Sequence, residues 1–338
     1  MPMKVWRVAA AVAALVVSGP VHTLAWGATG HEIISGIAMD TLPEMVPAFL
    51  RAPGVAGNIA VLGREPDRSK GAGRTHDAER DPGHWISLAD DGSVAGILPL
   101  DALPPTREAY DALLRAGGST QYKAGYLFYE IVDGWQQLVK DFAYWRALTK
   151  AIETAQTPDE RTWFQADRRL RELLILRDLG IWSHYPGDAS QPLHASIHYD
   201  GWAHRPNREN YTTRNVSAYI QGAFVRSNIK RQAVLRLVDA YKSCVCSIED
   251  RARDLLRLSL AQVEPLYRLE KAGAFRDADP RGIEFIASRL AAGATATRDM
   301  IADAWIASAT AMVGYPMVSV RDIESGKLRA TRALFGAD

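Results

Sequence analysis

The chain has 338 residues, with 40 Lys and Arg against 39 Asp and Glu, so it carries no global field that would draw in a polyanion. Its length allows one large domain or two small ones. With only two cysteines, it has to be held by an apolar core rather than a disulfide framework.

The first 25 residues read as a cleaved leader. Lys4 and Arg7 make a positive start, an apolar run follows from Val8 to Val17, and Thr23-Leu24-Ala25 supplies small residues at the cleavage position. No later run approaches the roughly 20 apolar residues a membrane span needs. The expected mature protein is therefore exported, secreted or periplasmic, with 38 basic and 39 acidic side chains left once Lys4 and Arg7 are gone.

Cleavage after Ala25 gives Trp26 a free α-amino group. That amine, the Trp26 carbonyl and the imidazole of His31 can together chelate a metal. The plain alternative is a turn at Gly27 and Gly30 with His31 as the first polar residue of a helix. Ile33, Ile34, Ile37 and Leu42 suggest a helix that ends before Pro43. Residues 52–83 are rich in Gly, Asp, Arg and Pro and read as irregular. They contain Asp67 and Lys70, and the run Asp81-Pro82-Gly83-His84-Trp85 closes them. Trp85 to Leu88, followed by Asp90-Asp91-Gly92, is the one stretch that reads as extended chain with a turn.

From Thr106 onward helix signals dominate. Tyr110, Leu113 and Leu114 share a face, Pro158-Asp159-Glu160 looks like a helix start, and Leu170, Leu173 and Leu174 continue that helix with Arg168, Arg169 and Arg171 beside them. His184 and Asp188 are four apart, on one helical face, and Pro192 re-aims His194. Residues 199–216 read as a loop. Val234, Leu237, Val238, Tyr241, Val245 and Ile248 hold a helical period, and a last long helix runs from about Ile283 to Met312. Cys244 and Cys246 would point to opposite sides of a helix, so they cannot easily pair with each other and read as small core or boundary residues. The fold class expected is all-α, one domain over residues 26–338.

Imidazoles and carboxylates without thiolate form a ligand set for zinc or a similar divalent ion. Trp-x4-His at a mature N-terminus, with the later run from His184 to His194 containing Gly-Asp-x2-Gln-Pro-Leu-His, resembles the secreted zinc phosphodiesterases. That family comprises the single-strand-specific nucleases of fungi and plants and the bacterial zinc phospholipases C. The resemblance runs from Trp26 to about Phe224. It implies one zinc on Asp67, His84, His184 and Asp188, and a second on Trp26, His31 and the shared Asp188. It also implies P–O bond hydrolysis by a metal-bridging hydroxide, with Asp67, Lys70 and Asp188 in the catalytic set. The substrates implied are single-stranded RNA or DNA and 3′-nucleotides, with phospholipid headgroups as the near rival.

The sequence departs from the family at a third zinc. His194 is present, but Ser217 and Gln221 stand where a histidine and a carboxylate are expected. His198, Asp200 and His204 are the residues that could rebuild such a site. A catalytically weak metal- or phosphate-binding homologue is therefore a further reading. Lys70 replaces an arginine and keeps its charge without the bidentate fork. Trp85 is placed to stack a base or to pack beside the metals, and Ser87 replaces an aspartate that reads the base. His76 and Asp77 read as loop residues that support the site rather than bind metal.

Overall fold

The computed structural model describes residues 26–203 and 206–336. The leader at 1–25 and His204 lie outside them. Among the described residues there are fifteen α-helices and two two-stranded antiparallel hairpins, an all-α architecture.

The first part of the chain runs α1 (Ala28–Asp40), α2 (Val55–Leu62), α3 (Glu65–Arg68), α4 (Arg74–Arg80), the hairpin β1 (Ser93–Val94) and β2 (Leu98–Pro99), α5 (Arg107–Ala116) and α6 (Gln121–Ala124). The centre is the long pair α7 (Leu127–Thr154) and α8 (Pro158–Trp182), then α9 (His184–Ala189). After a π-helical turn, Tyr219–Phe224, come α10 (Val225–Asn228), α11 (Arg231–Leu235), α12 (Ile248–Leu260), α13 (Val263–Lys271) and α14 (Pro280–Ser308). The hairpin β3 (Met312–Val313) and β4 (Val318–Ser319) and α15 (Val320–Glu324) end the fold.

Capping explains several starts. Thr157 accepts the Glu160 amide at 3.1 Å and the Glu160 carboxylate accepts the Gln156 amide at 2.9 Å, with Pro158 in the first turn of α8. Asp279 and Pro280 start α14 in the same way. Leu138 and Phe142 of α7 meet Ile175 and Leu179 of α8 and Met300, Ile301 and Ala304 of α14 in one apolar cluster. A second cluster joins Ile33, Ile34 and Ile37 of α1 to Ile286, Leu290 and Ala294 of α14. The same long helix thus braces both α1 and α7, the elements around the candidate site.

Several expectations need correction. Residues 52–83 are not irregular, because their glycines mark joints between short helices: Gly54 has φ 83° before α2, and Gly71 has φ 84° between α3 and α4. Asp67 therefore sits on α3 rather than in a loop. The first hairpin begins at Ser93, with Leu88 only bridging to Val94. A second hairpin, β3–β4, lies outside the one stretch expected to be extended, and α14 stops at Ser308 before reaching Met312. The periodic stretch from Val234 to Ile248 leaves the helix after Leu235 and re-enters one only at Ile248, and Leu237 and Val245 are exposed. Cys244 and Cys246 are bonded to each other, in a segment that is not helical. The objection to their pairing assumed a helix, and it lapses once the backbone leaves one.

Candidate metal centre

Three elements converge on the site. The start of α1 folds back tightly: Gly27 O accepts the amides of Gly30 and His31, and a Cβ on Gly30 would stand 2.6 Å from Trp26 Cβ. The buried Trp26 indole donates to Gly187 O and Ser190 Oγ, each at 3.0 Å, and so ties α1 to α9. Gly187 lets the helices approach, since a Cβ there would be 3.2 Å from His31 Nδ1. The rings of His31 and His184 consequently stack, centroids 3.7 Å apart. The third element is the turn Asp81–His84, with Pro82 in its first turn, which delivers His84 edge-on to His184.

Asp188 is the centre of the arrangement. Its Oδ2 lies 3.0 Å from His84 Nδ1 and 3.2 Å from His184 Nε2, and its Oδ1 lies 3.3 Å from His31 Nε2. His184 Nδ1 is 2.7 Å from Gly63 O; as that carbonyl can only accept, Nδ1 carries a proton and Nε2 is turned inward toward Asp188. Asp67 Oδ1 stands 4.0 Å from His84 Nδ1 and 2.6 Å from Lys70 Nζ.

The charge states follow from this packing. Burial pushes the His84 imidazole down to about 4 against the pull of Asp188. Burial and the neighbouring His184 lower His31 as well. For His184, burial is outweighed by the Asp188 charge and the group is raised. Burial opposes ionisation of both carboxyls, yet His184 and its neighbours hold Asp188 well below the ordinary range, and His184 with Lys70 holds Asp67 at about 2.

Two donor groups emerge: His31, His184 and Asp188, and Asp67, His84 and His184. Both imidazole nitrogens of His31 and Asp188 Oδ1 are buried without a hydrogen bond. Leaving such an atom unpaired costs about 1–3 kcal/mol, and an ion between His31 Nε2 and Asp188 Oδ1, which face each other at 3.3 Å, would relieve those two. Ligand atoms around a tetrahedral ion with bonds of 2.0–2.1 Å sit about 3.3 Å apart. The spacings around Asp188, from 3.0 to 3.3 Å, are compatible with that. These buried clusters can hold a metal ion.

The remaining expected residues are placed differently. His194 belongs to neither donor group: its Nδ1 lies 2.8 Å from His84 O, and its ring faces the adjoining cleft. Ser217 and Gln221 are buried and bonded to each other, the amide donating to the hydroxyl. His198 does not join His194. Its Nδ1 accepts the Ala203 amide at 3.0 Å, its Nε2 is 2.9 Å from Asp90 Oδ1, and its ring stacks on Trp202. The turn after His194 ends at Ala195, so the two histidines do not share a helical face. Trp26 contributes its indole to packing; the ligand role expected of it concerns the amine that cleavage would free. His76 pairs with Asp77 at 3.0 Å, and Asp77 accepts the Gly71 amide, which secures the loop after Lys70.

Beside the cluster lies a cleft of about 230 Å³, lined among others by Lys70, Trp85, Lys123, His194, Tyr199 and Asn215. A larger cavity of about 910 Å³, between Asp90 and Glu264, contains none of the cluster's donors. Sequence reasoning missed Lys123, Tyr199 and Asn215 as cleft residues, and Gly63 as the carbonyl that orients His184. No local pattern distinguishes them; they are defined by tertiary approach. No protein-family model and no curated protein matches the sequence.

Proposed function

We propose that the chain is an exported zinc-dependent phosphodiesterase, a nuclease acting on single-stranded RNA or DNA and on 3′-nucleotides. The observation that supports this reading best is the carboxylate of Asp188, reached by three imidazoles at the edge of a cleft with two lysines and two aromatic rings. His31 and Asp188 would hold one ion, and Asp67, His84, His184 and Asp188 the other. Zinc bound there supplies Lewis acidity toward a phosphoryl oxygen and acidifies water. Lys70 and Lys123 offset the charge of a phosphate seated in the cleft. The partly exposed ring of Trp85 offers a face for a base, and its indole is oriented by Lys123 O at 3.4 Å. Gly125 permits that fit, because a Cβ on it would stand 2.1 Å from Trp85 O.

Purified protein should be assayed on single-stranded nucleic acid, on a 3′-nucleotide and on phosphatidylcholine, each with and without chelator. Chelator-sensitive cleavage of the nucleic acids is the expected result. Cleavage of phosphatidylcholine alone would assign a phospholipase C. Zinc binding without turnover of any of them would favour a weak homologue, in line with a Ser217–Gln221 pair that carries no charge.

A further inference from the structure

The leucines that continue the period of α8 do not enter the core. Phe164, Ile175 and Leu179 supply its buried side, whereas Leu170, Leu173 and Leu174 are 61%, 64% and 44% exposed. Helical spacing puts them on one outer face with Ala166, Arg169 and Arg177, all exposed. From Ala166 to Arg177 that face has no exposed acid: Asp167, Glu172 and Asp178 are half-buried at its flanks. Glu172 is engaged by the Trp145 indole at 2.9 Å and by Arg168 at 3.6 Å. Asp178 is engaged by Arg177, whose side chain stays 65% exposed. Arg169 has no carboxylate partner among the described residues.

We propose that this face of α8 docks the protein on an anionic lipid surface. Three adjacent leucines flanked by cations, with acids withheld from the outer arc, make the amphipathic pattern that lies in a membrane interface. The arginines complement anionic headgroups while the leucines enter the acyl boundary. A second copy of the chain fits less well. Arg169 and Arg177 are each four residues from Leu173, so an antiparallel pairing centred on Leu173 would set cation against cation. A nucleic-acid backbone would satisfy the arginines but leave the leucines in water. The inference concerns a surface on α8 and does not depend on the chemistry proposed for the cleft.

The test is co-sedimentation of the full chain with vesicles of equimolar phosphatidylglycerol and phosphatidylcholine, and with pure phosphatidylcholine vesicles. Wild type is compared with Leu170→Ser/Leu173→Ser and with Arg169→Glu/Arg177→Glu. These are surface changes, and circular dichroism checks that each variant folds. Wild type should partition onto the mixed vesicles, at least tenfold less onto pure phosphatidylcholine, and less as salt is raised. Each double variant should lose at least tenfold on the mixed vesicles. Absence of wild-type binding, or equal binding by either folded variant, overturns the proposal. So does a concentration-dependent dimer in sedimentation velocity that the leucine variant abolishes, since the face would then belong to a second copy.

Discussion

His84 Nδ1 lies 2.9 Å from His184 Nε2, and both nitrogens face the same oxygen of Asp188. Because Nδ1 donates to Gly63 O, Nε2 is directed at the same point in space as the Asp188 charge. Two imidazole nitrogens and a carboxylate oxygen converging on one point are a donor set that suits a cation.

Asp188 lies within 3.3 Å of His31, His84 and His184, so Asp188→Asn should be the most damaging single change at the site. An amide keeps the shape but removes the anion that His31, His84 and His184 all face. Zinc content after reconstitution should fall by more than one equivalent. His194→Ala should retain most of the metal, since His194 lies outside both groups. Equal metal loss in the two variants would contradict this division of roles.

Metal removal should lower thermal stability. His31 Nε2 and Asp188 Oδ1, buried without a hydrogen bond, would gain a partner on binding. A ligand present at about a thousand times its Kd stabilises by about 4 kcal/mol. For a chain of this size that corresponds to a Tm shift on the order of 10 °C. Scanning calorimetry with and without chelator measures it; an unchanged Tm would mean that the cluster binds no ion strongly.

The helical class was legible because periodicity and capping are local. Thr157 to Glu160 signals a helix wherever it is read, and α8 begins there. His184 and Asp188 were legible for the same reason, being four apart on one turn. Residues defined by a distant approach were not. Gly63 acts through a carbonyl 121 positions from His184, and Lys123 enters the cleft from the short α6. Leu170, Leu173 and Leu174 mark the limit of periodicity as a signal, since an apolar stripe names a face without saying what covers it. Cys244 and Cys246 show the opposite failure: a helical period imposed across residues 236–247 pointed the two thiols to opposite sides, where they could not easily pair.

Glu130, packed on Gly83 beside His84, offers a pH test at a carboxyl outside both donor groups. Burial raises its carboxyl above the ordinary value of 4.5, and Arg107, 3.8 Å away, offsets this only in part. A carboxyl raised in the folded state favours folding while protonated; that contribution is full below 4.5, is lost as pH rises through the folded value, and changes no further above it. Glu130→Gln keeps the shape and removes the buried charge. The variant should melt about 2 °C above wild type at pH 7, with the advantage vanishing near pH 4. Thermal melts across that range decide it. A lower Tm at pH 7 would mean that the pair with Arg107 outweighs desolvation.

The last prediction concerns Ser217 and Gln221, the positions where the family resemblance implies a third ligand pair. Gln221 already touches Ser217 across one turn of the π-helical segment, so side chains at these positions lie together. Gln221 O also lies 3.4 Å from where a Cβ on Gly27 would be, which puts the segment beside the start of α1. Ser217→His with Gln221→Glu would place an imidazole and a carboxylate there, and His194 on the cleft wall is the third candidate donor. Three protein ligands with a position left for water or substrate is the arrangement of an open catalytic site. If the cleft hydrolyses phosphodiesters, a cation near the leaving oxygen acts on the transition state, so the gain should fall on kcat rather than KM. Its size should be about tenfold or more, because metal stabilisation of a developing oxyanion is worth several kcal/mol. Both positions are buried, and the introduced carboxylate would destabilise the fold if no metal bound it, so zinc content and Tm are read together with the rate. One added zinc with a higher kcat supports a site lost by substitution. A stable double variant with no added zinc would show that His194 does not face this pair, and that Ser217 and Gln221 are structural partners rather than the remnant of a ligand set.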